Sequence, residues 1–447
     1  MNAKSLLGSL VSLLAVTWSS AQPQPGTVLW TYDLGDQIVA SPALAPDGTV
    51  YLSTMTGLYA VTNNGSVASN KWTFPAGLSG SPAVGMDGSV YVNFKGTLVA
   101  LSADGSHNWT FTASASGSAI SVPPAIGFDN TLYFLADGRL FCVSPFGTKK
   151  WEYSLDVSGT GFQSPVIGAD GTIYIGLERT LYAFSPNGTV KWAGSYSGNG
   201  TESPVIGSDG TVYFSAGQLN AFSPDGTNLW SLDGAVFDGP PVLGRNGEIY
   251  VPSFASHNLY AVSLGGNVVW QALSGSDPRS VSTAAAVDVS GVIYYCVSNS
   301  IWALNPQGQV QWSITTSNVP YPWREVAMTS PVIGPDGTLY AALGTTLYAL
   351  ATGTNGPADS PWPMYRGNYR HTGKVEKPAL KQPRKRADAN FEFRLYAQLG
   401  QTNALETTTN LSVWTSLTNV VVTNVPMDVV DFTASNSPAR FYRVRSP

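Results

Sequence analysis

From residue 26 onward, short apolar runs alternate with polar turns, and no stretch sustains the 3.6-residue apolar period of a helix. The clearest example is Ser164-Pro165-Val166-Ile167-Gly168-Ala169-Asp170-Gly171-Thr172-Ile173-Tyr174. It is followed by Leu181-Tyr182-Ala183-Phe184-Ser185-Pro186-Asn187-Gly188 and then Trp192. This unit holds four apolar runs rich in β-branched and aromatic residues, as half-buried strands are. Asp-Gly or Asn-Gly marks its hairpins, because glycine accepts positive φ cheaply and Asp or Asn tolerates it better than most residues. The pattern predicts one small four-stranded sheet.

The unit repeats. Trp recurs at Trp30, Trp72, Trp109, Trp151, Trp192, Trp230, Trp270 and Trp312, at spacings of 42, 37, 42, 41, 38, 40 and 42. Copies of the Pro-anchored phrase begin at Pro42, Pro82, Pro124, Pro165, Pro204, Pro241 and Pro331, and a degenerate copy carries Ala285 in the proline's place. These make eight three-strand units and eight Trp-bearing strands, offset by one. The strand around Trp30 precedes the first unit, and none follows the last at normal spacing. The simplest solution is an all-β, eight-bladed β-propeller in which the Trp30 strand completes the blade begun at Pro331. Closure removes the open sheet edge that an unpaired last repeat would leave.

A second spacing suggests how blades dock. Ala183, Gly188 and Trp192 stand at +5 and +9, as do the triplets ending at Trp109, Trp230, Trp270 and Trp312. Cys142 replaces the alanine before Trp151, and three inserted residues precede Trp72. Small residues leave room for an indole to lie flat on backbone, so the eight tryptophans are read as mortar between blades rather than ligand platforms.

These residues carry a resemblance. The repeats resemble the quinoprotein-like, PQQ-like repeat propellers. Within them they are similar to non-enzymatic members of the kind of the outer-membrane assembly factor of the β-barrel machinery. Gly26 to Gly373 is covered. The phrase Trp362-Pro363-Met364-Tyr365-Arg366-Gly367-Asn368 with His371-Thr372-Gly373 resembles one that often borders such propellers. The resemblance implies a propeller, but this fold hosts enzymes, scaffolds and sensors alike.

Composition changes the picture at the ends of the chain. Lys4, the apolar Leu6–Val16 and the small residues Ser19-Ser20-Ala21 predict a signal peptide over 1–21. Its apolar stretch is shorter than a membrane span. Residues 26–373 are the expected propeller. Lys374–Ala389, with six Lys or Arg and Pro378 and Pro383, reads as a basic linker. Alternation resumes over 390–447, where Asn410-Leu411, Trp414 and the closing Arg440-Phe441-Tyr442-Arg443 resemble compact C-terminal modules of secreted bacterial proteins. That predicts a small β-sandwich-like module for attachment or sorting. The expected location is secreted, periplasmic or at the cell surface.

Chemistry is sparse. Three His are scattered, and the only cysteines, Cys142 and Cys296, fall in units three and seven. As the resemblance has it, active quinone-dependent dehydrogenases pair adjacent cysteines and hold calcium with Glu, Asn and Asp, and neither signature is present. Each Asp-Gly loop supplies one carboxylate, which suits a turn better than a calcium site. No catalytic residue, cofactor or metal site is expected. With a formal net charge of −5, nucleic acid is not an expected partner. The longest loop joining a Trp strand to the next unit, Ser313–Thr329, holds Tyr321, Trp323, Arg324 and Glu325, residue types enriched in binding hot spots apart from the glutamate. Glu202, and Asp277 with Arg279, add charge to two other loops. The expectation is a monomeric, non-enzymatic binding or scaffold propeller for a protein or extracellular ligand. The alternatives are an enzyme with an unrecognised site in the funnel and a surface component attached through its C-terminal module.

Overall fold

The computed structural model describes residues 23–445, apart from 76, 78–79, 95, 114–121, 156–162, 178, 199–201, 246, 254, 257, 274–282, 298, 317–328, 369, 376–378, 386–390, 397–401, 409–413, 422–426 and 432–440. The described chain is all β. Eight antiparallel sheets, numbered 1 to 8 in the order of their innermost strands, occupy residues 28–351. Sheet 4 shows the plan, with strands Val166–Ile167, Ile173–Leu177, Thr180–Phe184 and Val190–Ser195 side by side in sequence order. Sheet 5 has three strands, because Val212–Phe222 runs on where the other sheets turn. In sheet 8 the fourth strand comes from the other end of the chain. Val28–Asp33 pairs with Thr346–Ala351, setting Trp30 opposite Ala349.

The hairpins form as the Asp-Gly pattern predicts. Asp170 Oδ1 accepts the Thr172 N–H at 2.9 Å and Oδ2 accepts the Thr172 hydroxyl at 2.6 Å, while Gly171 takes φ 87°. The same arrangement recurs at Asp129, Asp209 and Asp336. These carboxylates are committed to their turns. Burial opposes the charge on Asp170, but Thr172 and Lys191 outweigh it and hold its pKa below the usual range.

The tryptophans act across two sheets. Within its own sheet each faces a small residue, as in Ala183↔Trp192 and Cys142↔Trp151. Its indole lies over the glycine of the next sheet's outer turn. A methyl group at Gly188 would sit 2.8 Å from Trp151, and one at Gly226 2.6 Å from Trp192. Six indole N–H groups then donate to a carbonyl two residues before that glycine, among them Trp109 to Pro145 at 2.9 Å and Trp270 to Pro306 at 2.8 Å. Trp312 covers Gly26, just ahead of the N-terminal strand, so the seam between sheets 7 and 8 uses residues from both ends of the repeat region. Trp30 departs from the pattern: a methyl group at Gly65 would have nothing within 4 Å, and Trp30 packs against Tyr340 of its own sheet, with ring centroids 5.9 Å apart.

Serines preceding the anchoring prolines add a second link. Ser330 N–H donates to Ser41 Oγ at 2.9 Å, Ser41 N–H to Ser81 Oγ at 3.1 Å, and Ser164 N–H to Ser203 Oγ at 3.0 Å. These bonds join sheets 8, 1 and 2, and sheets 4 and 5.

Two three-stranded sheets occupy residues 379–445. One contains Ala379–Lys385, Phe391–Tyr396 and Met427–Asp431; the other Thr415–Val421, Thr402–Thr408 and Phe441–Arg445. The expected linker over 374–389 is corrected here. Ala379–Lys385 is a strand, with Pro383 inside a register shift between Lys381 and Arg384, where its missing N–H costs no ladder bond. Near the end of the described chain Tyr442 packs at a tilt against Phe393, with centroids 4.4 Å apart, and its hydroxyl donates to Asp431 at 2.9 Å. Arg443 pairs with Glu406 at 2.6 Å and lies over Trp414.

Candidate functional site

The innermost strand of each sheet is two residues long and has a free edge, a liability wherever backbone groups are buried. Proline at the head of most inner strands removes one donor and leaves a carbonyl. One N–H remains at the second strand residue. In five sheets that N–H is taken by a single segment, residues 356–375. Val84 donates to the Arg370 carbonyl, Ile126 to Thr372, Ile167 to Gly373, Leu243 to Trp362 and Val287 to Pro363, each at 2.8 Å. The inner strands of sheets 2, 3, 4, 6 and 7 therefore converge on one stretch of chain. The phrase expected to border the repeats instead lies along their inner strands.

Its side chains are buried with it. Trp362, Met364, Arg366 and His371 are at most 2% exposed. Arg366 donates Nη1–H to the Pro165 carbonyl at 2.9 Å and Nη2–H to the Pro124 carbonyl at 3.0 Å, so one guanidinium ties sheets 3 and 4 through their anchoring prolines. Burial lowers its pKa to about 10, which leaves it cationic at neutral pH. His371 stands edge-on to Tyr365, with centroids 5.3 Å apart. Burial first, and then the charge of Arg366, push its pKa down to about 3, so the ring is neutral. Lys374 donates to the Gly127 carbonyl at 3.3 Å and lies 4.9 Å over the Phe128 ring.

Beside this segment stands Glu202, at the head of sheet 5's inner strand. Its surface is partly open, yet protein surrounds it; burial, and second the nearby charge of Asp238, raise its pKa to about 8. Tyr365 feels the same carboxyl: burial raises its pKa most, Arg366 opposes, Glu202 adds to the rise and a hydrogen bond from Ser81 lowers it. Glu202 was legible only as a charged loop residue. Asp238, Tyr365, Arg366 and His371 lie far from it in sequence. Their one sequence signal is that the 362–373 phrase breaks the repeat with aromatic and basic residues.

Tyr321, Trp323, Arg324 and Glu325 lie outside the described residues, as do Asp277, Arg279 and the signal segment 1–21. Cys142 and Cys296 are buried free thiols; burial raises each to about 12, with Lys150 and Tyr133 partly opposing at Cys142. Among the described residues no group of three or more His, Cys, Asp or Glu could hold a metal ion, and no helix is long and apolar enough to cross a membrane.

Repeated four-stranded antiparallel sheets, joined in sequence by these tryptophans, define a PQQ-like repeat β-propeller. The chain belongs to the family described as outer membrane protein assembly factor BamB, whose profile matches residues 19–163 and 136–355. No curated protein matches it. Among solved structures it is similar to virginiamycin B lyase from Staphylococcus aureus, at 10% identity over 72% of this chain and 98% of that one, TM-score 0.46. It is also similar to a streptogramin B lyase, at 13% over 72% and 97%, TM-score 0.46. The WD40 β-propeller domain of Doa1 matches at 11% over 72% and 96%, TM-score 0.45.

Proposed function

We propose that this chain is an exported, non-enzymatic binding or scaffold propeller acting in the periplasm or at the cell surface. In this reading the eight sheets are the blades of one ring, closed by the N-terminal strand, and the C-terminal sheets form a small β module used for attachment or sorting. The observation that carries it is the covering of the inner strands by one segment. Residues 356–375 occupy the inner edges of five sheets and bury Arg366 and His371, which leaves the loops and outer rim as the surfaces for a partner. Family membership supports a protein partner. The sequence directs attention to Tyr321, Trp323 and Arg324, since aromatic and Arg side chains dominate interface energies. Replacing all three with Ala is expected to leave the melting temperature nearly unchanged and to weaken partner capture by roughly 2 kcal/mol or more. A triple variant that binds as the parent does would reject this loop as the interface.

Glu202 favours a second reading, an enzyme with its site beside the central segment. A carboxylic acid protonated near neutrality next to a second carboxylate is the arrangement of a general acid. Glu202→Gln would abolish any turnover found in a hydrolase and lyase substrate panel, and unchanged turnover would remove Glu202 from the chemistry.

A further inference from the structure

We propose that the inner edges of the ring are a recognition site for a turned, carbonyl-presenting peptide segment with an arginine slot, and that residues 356–375 are the segment they hold in cis. The interface is complementary in hydrogen-bond type. The sheets offer N–H donors at Val84, Ile126, Ile167, Leu243 and Val287, and the segment answers with five carbonyls. Pro363 suits this role, because proline presents a carbonyl, here accepting from Val287, without a donor that would itself need a partner. Ser360 adds a side-chain contact, donating to the Leu243 carbonyl at 2.7 Å.

Arg366 supplies the register. Its two donors reach the carbonyls of Pro124 and Pro165, prolines at the same position of successive repeats, so the guanidinium measures the step from one sheet to the next. The backbone turns around this side chain. Gly373 takes φ 63°, and a methyl group there would fall 2.2 Å from the Arg366 Nη2, so the segment returns past the guanidinium only because that residue is glycine. The contacts involve non-adjacent parts of the ring, which makes the segment a strap across it. The strap also fixes where the C-terminal sheets leave the repeats, since Val375 N–H donates to the Ile167 carbonyl at 2.9 Å.

The test cuts the covalent link and asks whether the strap stays. A specific protease site is inserted into the full-length chain at the exposed turn 353–355, and the purified protein is cleaved. The fragment beginning at Gly356 should co-elute with the ring on gel filtration. A fluorescent peptide of sequence 356–375, in excess, should exchange into the cleaved protein, and the same peptide carrying Arg366→Ala should bind at least tenfold more weakly. If the cleaved ring unfolds on dilution, the comparison becomes one of rescue: the parent peptide should restore the melt and the Arg366→Ala peptide should not. Immediate loss of the fragment from a ring whose melt is unchanged would overturn the proposal. So would equal binding, or equal rescue, by the two peptides.

Discussion

At the outer edge of sheet 4, Lys191 pairs with Asp170 at 3.3 Å, with the two side chains 38% and 60% exposed. At the centre, Arg366 is 1% exposed and faces two carbonyls. The rim repeats its pairing at Lys71–Asp47 and Lys150–Asp129, whereas Arg366 belongs to no repeat. Solvent screens the rim pairs, and holding two long side chains together costs entropy, so each adds little. The central hydrogen bonds form where water cannot replace them, and leaving such acceptors unmade costs far more. Repetition therefore marks what is common to every sheet, and the residues with the largest individual consequences sit in the one segment that does not repeat.

The hardest challenge to this contrast comes from a rim element that acts through backbone. Deleting residues 22–33 removes the fourth strand of sheet 8 and the glycine beneath Trp312. The truncated protein should lose cooperative melting; a melt like that of the chain without the deletion would refute ring closure. Next in size is Trp192→Ala, which vacates the seam over Gly226 and its bond to the Pro224 carbonyl. The expected loss is about 3–4 kcal/mol by denaturant titration. A loss below about 1 kcal/mol would mean that the seams do not hold the ring.

A pH series sharpens the contrast at the centre. The folded-state pKa of His371 is depressed, so its contribution is complete above the unfolded value of 6.5 and is lost as pH falls towards 3. That of Glu202 is raised, so its contribution is complete below the unfolded value of 4.5 and is lost as pH rises through 8. Between pH 4.5 and 6.5 the two slopes oppose each other, so stability should be highest and nearly flat there and fall on either side. His371→Gln should remove the fall below pH 4.5, where the parent loses up to about 2 kcal/mol on the way to pH 3. Glu202→Gln should flatten the alkaline limb. Unchanged limbs in both variants would show that neither group is held as described. The smallest effect belongs to the rim: Lys191→Ala should cost less than about 0.5 kcal/mol, less still in high salt.

Much of this architecture is local and was therefore legible. Asp-Gly turns, period-two alternation and tryptophan spacing concern residues within a few positions of each other, and each sheet follows from its own forty or so residues. The offset between Trp strands and Pro-anchored units also led to the pairing of Val28–Asp33 with Thr346–Ala351, because counting strands requires no geometry. The indole of one repeat and the glycine of the next were legible as small and large residues, but which glycine receives which indole was not. Within a sheet Trp192 faces Ala183, and the glycine it covers, Gly226, belongs to the following repeat.

The centre could not be read in advance. Nothing between positions 84 and 370, or between 124 and 366, signals proximity along the chain; the inner strands had to converge before Val84 could meet Arg370 and Arg366 the carbonyls of Pro124 and Pro165. The same holds for the carboxyl of Glu202, ordinary in a loop and shifted only when folding brings it beside Asp238 and withdraws it from water. Sequence alone determined the repeat, its turns and its closing strand, because those depend on neighbours in the chain. The tertiary structure decided which charges are buried and what they touch, because desolvation and long-range hydrogen bonds exist only once distant segments share one interior.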